Sequence, residues 1–105
     1  MKGILIDPYK RTVEALESEF ENQELHRLVG AETLGFCHPY GRTETLAVDD
    51  EGMAQKLPEF YIEGYQWPIW GRAVLFGRGT GGQTVSTHLS VEAVYDSIAF
   101  TYEDP

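Results

Sequence analysis

Three stretches of the chain combine residue types that could do chemistry, and the first is rich in glycine. Gly77, Gly79 and Gly82 match the spacing G-x-G-x-x-G, which is found in dinucleotide-binding turns. Such a turn needs a helix directly after it, because the helix N-terminus holds the pyrophosphate. Residues 83–87 are instead rich in β-branched types, which favour a strand. We therefore predict that Gly77 to Gly82 is a hairpin turn, with anion binding at Arg78 as the alternative.

The second stretch is the pair Cys37 and His38. A nucleophilic cysteine needs a histidine that meets it in space, but adjacent residues on a strand point to opposite faces. Cys37 is therefore predicted to be a small buried residue, and as the single cysteine it has no internal disulfide partner. The three histidines, His26, His38 and His88, lack the spacing of metal ligands. We predict no catalytic residue, no cofactor and no metal.

The third stretch is Asp49-Asp50-Glu51-Gly52. It lacks the alternating oxygen ligands and the distal glutamate of a calcium-binding loop. We predict a polar turn that follows a strand.

The elements that would position these residues are strands and two short helices. Asn22 is expected to cap the first helix, Gly30 to end it, and Ser90 to cap the second, whose apolar stripe includes Val94 and Ile98. Residues 12–17 fit a strand or a helical stripe, and we favour the return strand of a hairpin. The predicted strands are 2–6, 12–17, 32–40, 45–49, 73–76 and 83–88, and the predicted helices are 22–29 and 90–100.

These elements predict one α+β domain over residues 1–105, mostly an antiparallel sheet with two short helices packed on one face. The length of 105 residues is near the common size of a domain that folds alone. No apolar run approaches the ~20 residues of a membrane span, and the stretch after Met1 is too short for a signal peptide. We expect a cytoplasmic protein that does not bind membranes.

The charge suggests a class of partner. Seventeen acidic residues against eight basic ones give a formal charge of −9, which disfavours direct binding to nucleic acid. The acidic surface either keeps the protein soluble or docks on a basic partner. Five glutamates lie within eleven residues, and a strand leading into a helix is expected to present several on one side: Glu14, Glu17, Glu19, Glu21 and Glu24.

Aromatic residues are dense in one stretch that we expect to be a loop. They either pack over an open face of the sheet or form a contact surface, since tyrosine and tryptophan dominate binding hot spots. The candidates are Phe60, Tyr61, Tyr65, Trp67 and Trp70.

Three motifs carry a resemblance: KGILIDPYKRTVEALE (2–17), VDDEGM (48–53) and WPIWGRAVLFG (67–77). Together they resemble a family of small uncharacterised phage- and plasmid-encoded proteins that carry a domain of unknown function. The resemblance implies a mobile-element origin and a similar order of elements. It implies no catalytic residues.

The function expected from these observations is binding rather than catalysis. The leading hypothesis is a non-enzymatic phage or mobile-element accessory protein that binds a host protein with a basic surface. Its concrete form is inhibition of a nucleic-acid-handling or defence enzyme. The alternatives are a small-ligand or nucleotide-binding domain that uses the Gly77 to Gly82 turn, and a structural protein that oligomerises. The partner and the oligomeric state are left open.

Overall fold

The computed structural model describes residues 1–101 and confirms an α+β fold with two helices and a mostly antiparallel sheet. The helices are α1 (Asn22–Val29) and α2 (Val91–Ser97). The strands are β1 (Lys2–Asp7), β2 (Thr12–Glu17), β3 (Leu34–Cys37), β4 (Glu44–Asp49), β5 (Glu59–Ile62), β6 (Ile69–Trp70), β7 (Ala73–Arg78), β8 (Thr84–Val85) and β9 (Ile98–Phe100).

The larger sheet has the strand order β2-β1-β7-β4-β3, and β8 pairs with β7. All of its pairings are antiparallel. The β1–β2 hairpin is closed by Asp7, whose Oδ1 accepts hydrogen bonds from the amides of Tyr9 (2.9 Å) and Lys10 (3.2 Å). The prediction that residues 12–17 form a return strand is confirmed, since Lys2 lies opposite Glu17 and Asp7 opposite Thr12.

A second sheet of three strands, in the order β6-β5-β9, was not predicted from the sequence. Two of its strands, β5 and β6, lie within the aromatic stretch that we expected to be a loop. The predicted helix 90–100 is also too long, because α2 ends at Ser97 and Ile98–Phe100 pairs with β5. Ser97 Oγ donates to the carbonyl oxygen of Val94 (2.6 Å) at this end. The helix was predicted to be too long because Ile98 fits both the apolar stripe of a helix and a strand.

The two helices lie on opposite faces of the larger sheet, so the prediction that both pack on one face is wrong. One face carries Ile4, Leu46 and Leu75, which share a core with Val94 of α2 and with the inner face of the second sheet. The other face carries Ala47, Val74 and Phe76, which pack against Leu25 and Val29 of α1. The physical reason is that the central strand β7 is buried on both faces, and both faces must be covered.

The predicted helix caps are found in the structure with one exception. Gly30 adopts the left-handed conformation (φ 76°) after α1, and Ser90 Oγ accepts from the amide of Ala93 (3.1 Å) at the start of α2, as predicted. Asn22 is not the N-cap of α1. That position is Glu21, whose side chain makes no capping hydrogen bond.

The β3–β4 hairpin is close to its prediction, although β3 is shorter than the predicted 32–40 and β4 begins one residue earlier, at Glu44. The acidic turn that follows is confirmed as a turn. Asp49 Oδ1 accepts from the amide of Glu51 (2.9 Å), which closes it locally.

The segment after β8 leaves the sheet earlier than predicted and runs to α2 as a connector, residues 86–89. It crosses the start of β1, where Ser86 Oγ accepts from the amide of Lys2 and the Thr87 amide donates to the Lys2 carbonyl oxygen (both 2.9 Å). Glu44 Oε1 then accepts from Thr87 Oγ1 (2.7 Å) and from the amide of His88 (2.8 Å). The connector is therefore fixed to both β1 and β4.

Neither of the two helices among the described residues has the length and apolar character needed to cross a membrane.

We predict that Gly77→Ala destabilises the fold by about 1–3 kcal/mol, because its Cβ would overlap with the carbonyl oxygen of Ser86 in the connector. Gly81→Ala is the matched control in the same hairpin, since its Cβ meets only the flexible side chain of Gln83. Urea unfolding followed by circular dichroism measures both. Equal stability of the two variants would contradict this packing.

Candidate functional site

The acidic residues of β2 lie on both faces of the sheet rather than on one. Glu14 is paired with Leu5 and so points to the α1 face, whereas Glu17 is three residues further on and points to the α2 face. Within β2 itself the two glutamates therefore lie on opposite faces, because the side-chain period of a strand is two.

The acidic residues after β2 divide into exposed and paired ones. Glu19 and Glu21 are exposed in the segment before α1. Glu24 is held by Arg27 one helical turn later, with Arg27 Nε 2.9 Å from Oε2 and Nη2 2.6 Å from Oε1. The hydrogen bond from Arg27 lowers the pKa of the Glu24 carboxyl. Glu24 is therefore already neutralised, while Glu14, Glu17 and Glu19 have no ion-pair partner within residues 1–101.

Strand β2 is an edge strand, which pairs with β1 alone. The Ser18 amide donates to the Met1 carbonyl oxygen (3.1 Å), and antiparallel residues alternate between hydrogen-bonded and non-hydrogen-bonded pairs. The backbone amides and carbonyls of Val13, Ala15 and Glu17 therefore point away from β1. A groove of about 480 Å³ runs beside this edge on the α2 face. Its apolar lining includes Ile4, Ala15, Leu16, Leu89 and Val91.

The predicted aromatic set is split by the second sheet. Phe60 is fully buried in the core, so it is not available to a partner. Tyr65 is half-buried and packs against the same core. Alternation along β5 puts Phe60 and Ile62 inward and Tyr61 outward.

Two of the five aromatics are exposed at the surface, and two more, Tyr65 and Trp70, are half-buried. Trp67 is 61% exposed and Tyr61 is 38% exposed. Trp70 is half-buried and lies opposite Glu59 in the β5–β6 pair, so it shares the outer face of the second sheet with Tyr61. Phe60 therefore cannot belong to the contact surface predicted from the sequence.

Cys37 and His38 are not brought together with each other or with another histidine as a nucleophilic pair. Cys37 is half-buried against the core near Tyr65, whereas the Nδ1 of His38 donates to the Glu44 carbonyl oxygen (3.0 Å). Burial raises the pKa of the Cys37 thiol. Among residues 1–101 no three His, Cys, Asp or Glu side chains are arranged to hold a metal ion.

The glycine stretch is a turn between two antiparallel strands, as predicted. Gly79 donates to the Gln83 carbonyl oxygen (2.8 Å) and Gly82 to the Gly79 carbonyl oxygen (2.9 Å). These two amides are thus used inside the turn. The strand β8 follows where a dinucleotide site would need a helix.

The β7–β8 hairpin, which contains this turn, forms one wall of an open cleft of about 470 Å³ on the α1 face. The cleft was missed by the sequence interpretation because its residues come from distant segments. They are Phe20, Asn22, Leu25, Phe36, His38, Thr45, Phe76, Gly77, Arg78, Gly82, Gln83 and Thr84.

Glu44 was also missed by the sequence interpretation. It is only 2% exposed, and its Oε2 is buried without a hydrogen-bond partner among the described residues. Its only signal in the sequence is its position at the start of an apolar strand, where a glutamate is usually exposed.

Comparison of this chain with protein-family models, with curated proteins and with solved structures finds no significant match. The resemblance to phage- and plasmid-encoded proteins therefore stays a prediction.

We predict that Cys37 reacts slowly with a thiol reagent and that the midpoint of its pH–rate profile lies above that of a free cysteine. The reason is that burial raises the pKa of its thiol, so the reactive thiolate forms only at higher pH. The profile is measured on the folded protein and, as the control, on the chain unfolded in urea. A folded-state midpoint at or below the unfolded one would contradict this environment.

Proposed function

We propose that this chain is a non-enzymatic binding protein that captures an extended, basic segment of another protein along the free edge of β2. The observation that carries the proposal is the row of outward-facing backbone groups on this edge strand. The partner would add a strand to the larger sheet, a recognised mode of peptide binding.

The backbone of β2 supports this mode. Val13, Ala15 and Glu17 direct their amides and carbonyls outward over six strand residues, and these groups would pair with an added strand. Main-chain hydrogen bonds of this kind supply affinity without requiring a particular sequence. Side chains on either side of the new strand would supply the specificity.

The charges around the edge favour a basic segment. Glu14 lies on one face of β2 and Glu17 on the other, and Glu19 follows at its end. Because an added strand alternates its side chains between the two faces, lysines or arginines on both faces would meet a glutamate. Complementary charge of this kind raises the association rate and excludes acidic partners.

The groove on the α2 face would hold apolar side chains of the partner. It has apolar surface from Ala15, Leu89 and Val91, and Glu17 lies at its border. A segment that mixes basic and β-branched residues fits both the acidic edge and this groove.

The biological setting of the proposal comes from the resemblance. A phage or mobile-element accessory protein would bind a host protein, and a nucleic-acid-handling or defence enzyme is the target whose basic surface fits best. Inhibition would then follow from occupation of that surface. A cytoplasmic location is part of the same proposal.

A second candidate function is favoured by the outer face of the second sheet. Tyr61 and Trp70 lie on that face, Trp67 is exposed in the segment before β6, and aromatic residues of this kind are common at the centre of interfaces. On this alternative the protein would associate with a partner or with its own copies through that face.

We predict that replacing Glu14, Glu17 and Glu19 together by lysine weakens binding of a basic strand peptide at least about tenfold at low salt. Each exposed pair contributes only about 0.2–1 kcal/mol, but reversal adds repulsion to the lost attraction. The probe is a labelled ten-residue peptide of alternating lysine and valine, and fluorescence anisotropy gives the affinity.

The matched control is a variant in which Glu32, Glu51 and Glu63 are replaced by lysine. These three residues are exposed and lie outside β2. Both triple variants change the formal charge from −9 to −3, because each Glu→Lys adds two charges and three such changes add six. Equal loss of affinity in the two variants would mean that net charge, and not the edge, attracts the peptide.

We predict that Ala15→Pro abolishes peptide binding while the fold survives, because its amide points away from β1 and proline is tolerated at such edge positions. Leu16→Pro is the contrasting variant. It removes an amide directed at β1 and should destabilise the protein by about 3 kcal/mol or more. Thermal unfolding and peptide anisotropy separate the two effects. Full peptide binding by folded Ala15→Pro would disprove strand addition.

A further inference from the structure

The cleft on the α1 face, and a smaller hollow beside it, contain no acidic residue in their linings. This is notable in a chain with seventeen acids and eight basic residues. The cleft contains Arg78, and the hollow of about 420 Å³ contains both Arg42 and Arg78. The two cavities therefore share one arginine and form a locally basic corner of an acidic protein.

The inner part of the cleft is aromatic. Phe20 and Phe76 stack with ring centroids 5.2 Å apart and an angle of 12° between the planes, and both are largely buried. Phe36 completes the wall from β3 and is 52% exposed, which is unusual for a phenylalanine. An exposed ring beside an apolar floor is a surface on which a flat ring can stack.

The outer part of the cleft is cationic. The Arg78 amide donates to the Thr43 carbonyl oxygen (2.8 Å), which places the β3–β4 and β7–β8 hairpins side by side. The Arg78 guanidinium lies over the glycine turn, with a nitrogen 3.9 Å from the position of a Cβ on Gly82. Neither Arg42 nor Arg78 forms an ion pair with the described part of the chain. Both guanidinium groups are thus available to a carboxylate or a phosphate.

The net charge of the protein does not prevent an anion from binding here. At physiological ionic strength the Debye length is about 8 Å, so exposed acids beyond that distance are largely screened. Glu19 and Glu21 flank Phe20 in sequence and are the nearer acids, but neither lines the cleft or the hollow, so the groups in contact with the ligand decide the local interaction. Arg78 lines both cavities, and the smaller hollow adds Arg42 and the hydroxyls of Thr43 and Thr80.

We propose that this cleft binds a small aromatic anion, with its flat ring against Phe36 and the Phe20–Phe76 floor and its anionic group at Arg78 and Arg42. The volume of about 470 Å³ is within the usual range for small-molecule sites. A ring that carries a phosphate and a ring that carries a carboxylate share this chemistry. The site is separate from the β2 edge and does not depend on the protein-binding function.

The experiment uses isothermal titration calorimetry on the full chain with four probes. Adenosine 5′-monophosphate and indole-3-acetate carry both a ring and an anionic group, whereas adenosine lacks the charge and inorganic phosphate lacks the ring. We expect at least one of the first two to bind at least about tenfold more tightly than both single-feature probes. Binding of the monophosphate alone identifies a phosphate ligand, and binding of indole-3-acetate alone identifies a carboxylate ligand.

Variants test the assigned contacts. Phe36→Ala and Arg78→Ala should each weaken the binding at least about tenfold. Because both side chains are exposed, we expect both variant proteins to stay folded. Tyr95→Ala and Lys10→Ala are matched controls at exposed positions outside the cleft and should bind normally. Failure of both ring-bearing anions to bind, equal binding of adenosine, or unchanged affinity in folded Arg78→Ala would each overturn the proposal.

Discussion

A carboxylate buried at the start of β4 is the constraint on which the arrangement of the two sheets depends. Glu44 is 2% exposed, and a buried carboxylate is costly unless hydrogen bonds compensate it. Thr87 and His88 supply two such bonds to Oε1, so the connector after β8 must stay against the sheet. The chain then enters α2 and continues into β9, which completes the second sheet against β5. The second sheet therefore forms where this connector directs the chain.

The same arrangement determines which surfaces remain free. Because α1 and α2 cover opposite faces of the larger sheet, its centre is buried on both sides and offers no open face. Among the surfaces left free in residues 1–101 are the edge at β2, the outer face of the second sheet, and the cleft between α1 and the β7–β8 hairpin; β3 is the opposite edge of the larger sheet. Each can support binding, and the cleft and the β2 edge differ in sign of charge. Under the two proposals above, this separation would let one small domain bind two chemically different partners.

The sequence predicted the local elements well and the long-range arrangement poorly. The first helix, its stop at Gly30, the β1–β2 hairpin and the glycine turn were predicted correctly, because caps, turns and periodicity are local signals. The second sheet was missed because its two-residue strand β6 is too short to show an alternating pattern. The face occupied by each helix could not be predicted, since nothing in β7 distinguishes its two buried faces.

The candidate sites show the same contrast between local signals, which the sequence reveals, and long-range contacts, which it does not. Clustering in sequence identified the glutamates around β2, but the structure separates Glu14 from Glu17 across the strand and neutralises Glu24 with Arg27. Density in sequence likewise identified the aromatic residues, of which Phe60 is in the core. The cleft unites residues as far apart as Phe20 and Thr84, and no local pattern reveals such a site.

Amide hydrogen exchange, resolved by residue with and without the basic strand peptide, is the most direct test of the central claim that β2 accepts a partner strand. The account predicts new protection at the amides of Val13, Ala15 and Glu17, which point outward. It predicts little change at Glu14 and Leu16, whose amides already bond to β1. Protection confined to the second sheet around Tyr61, with no change along β2, would contradict the account.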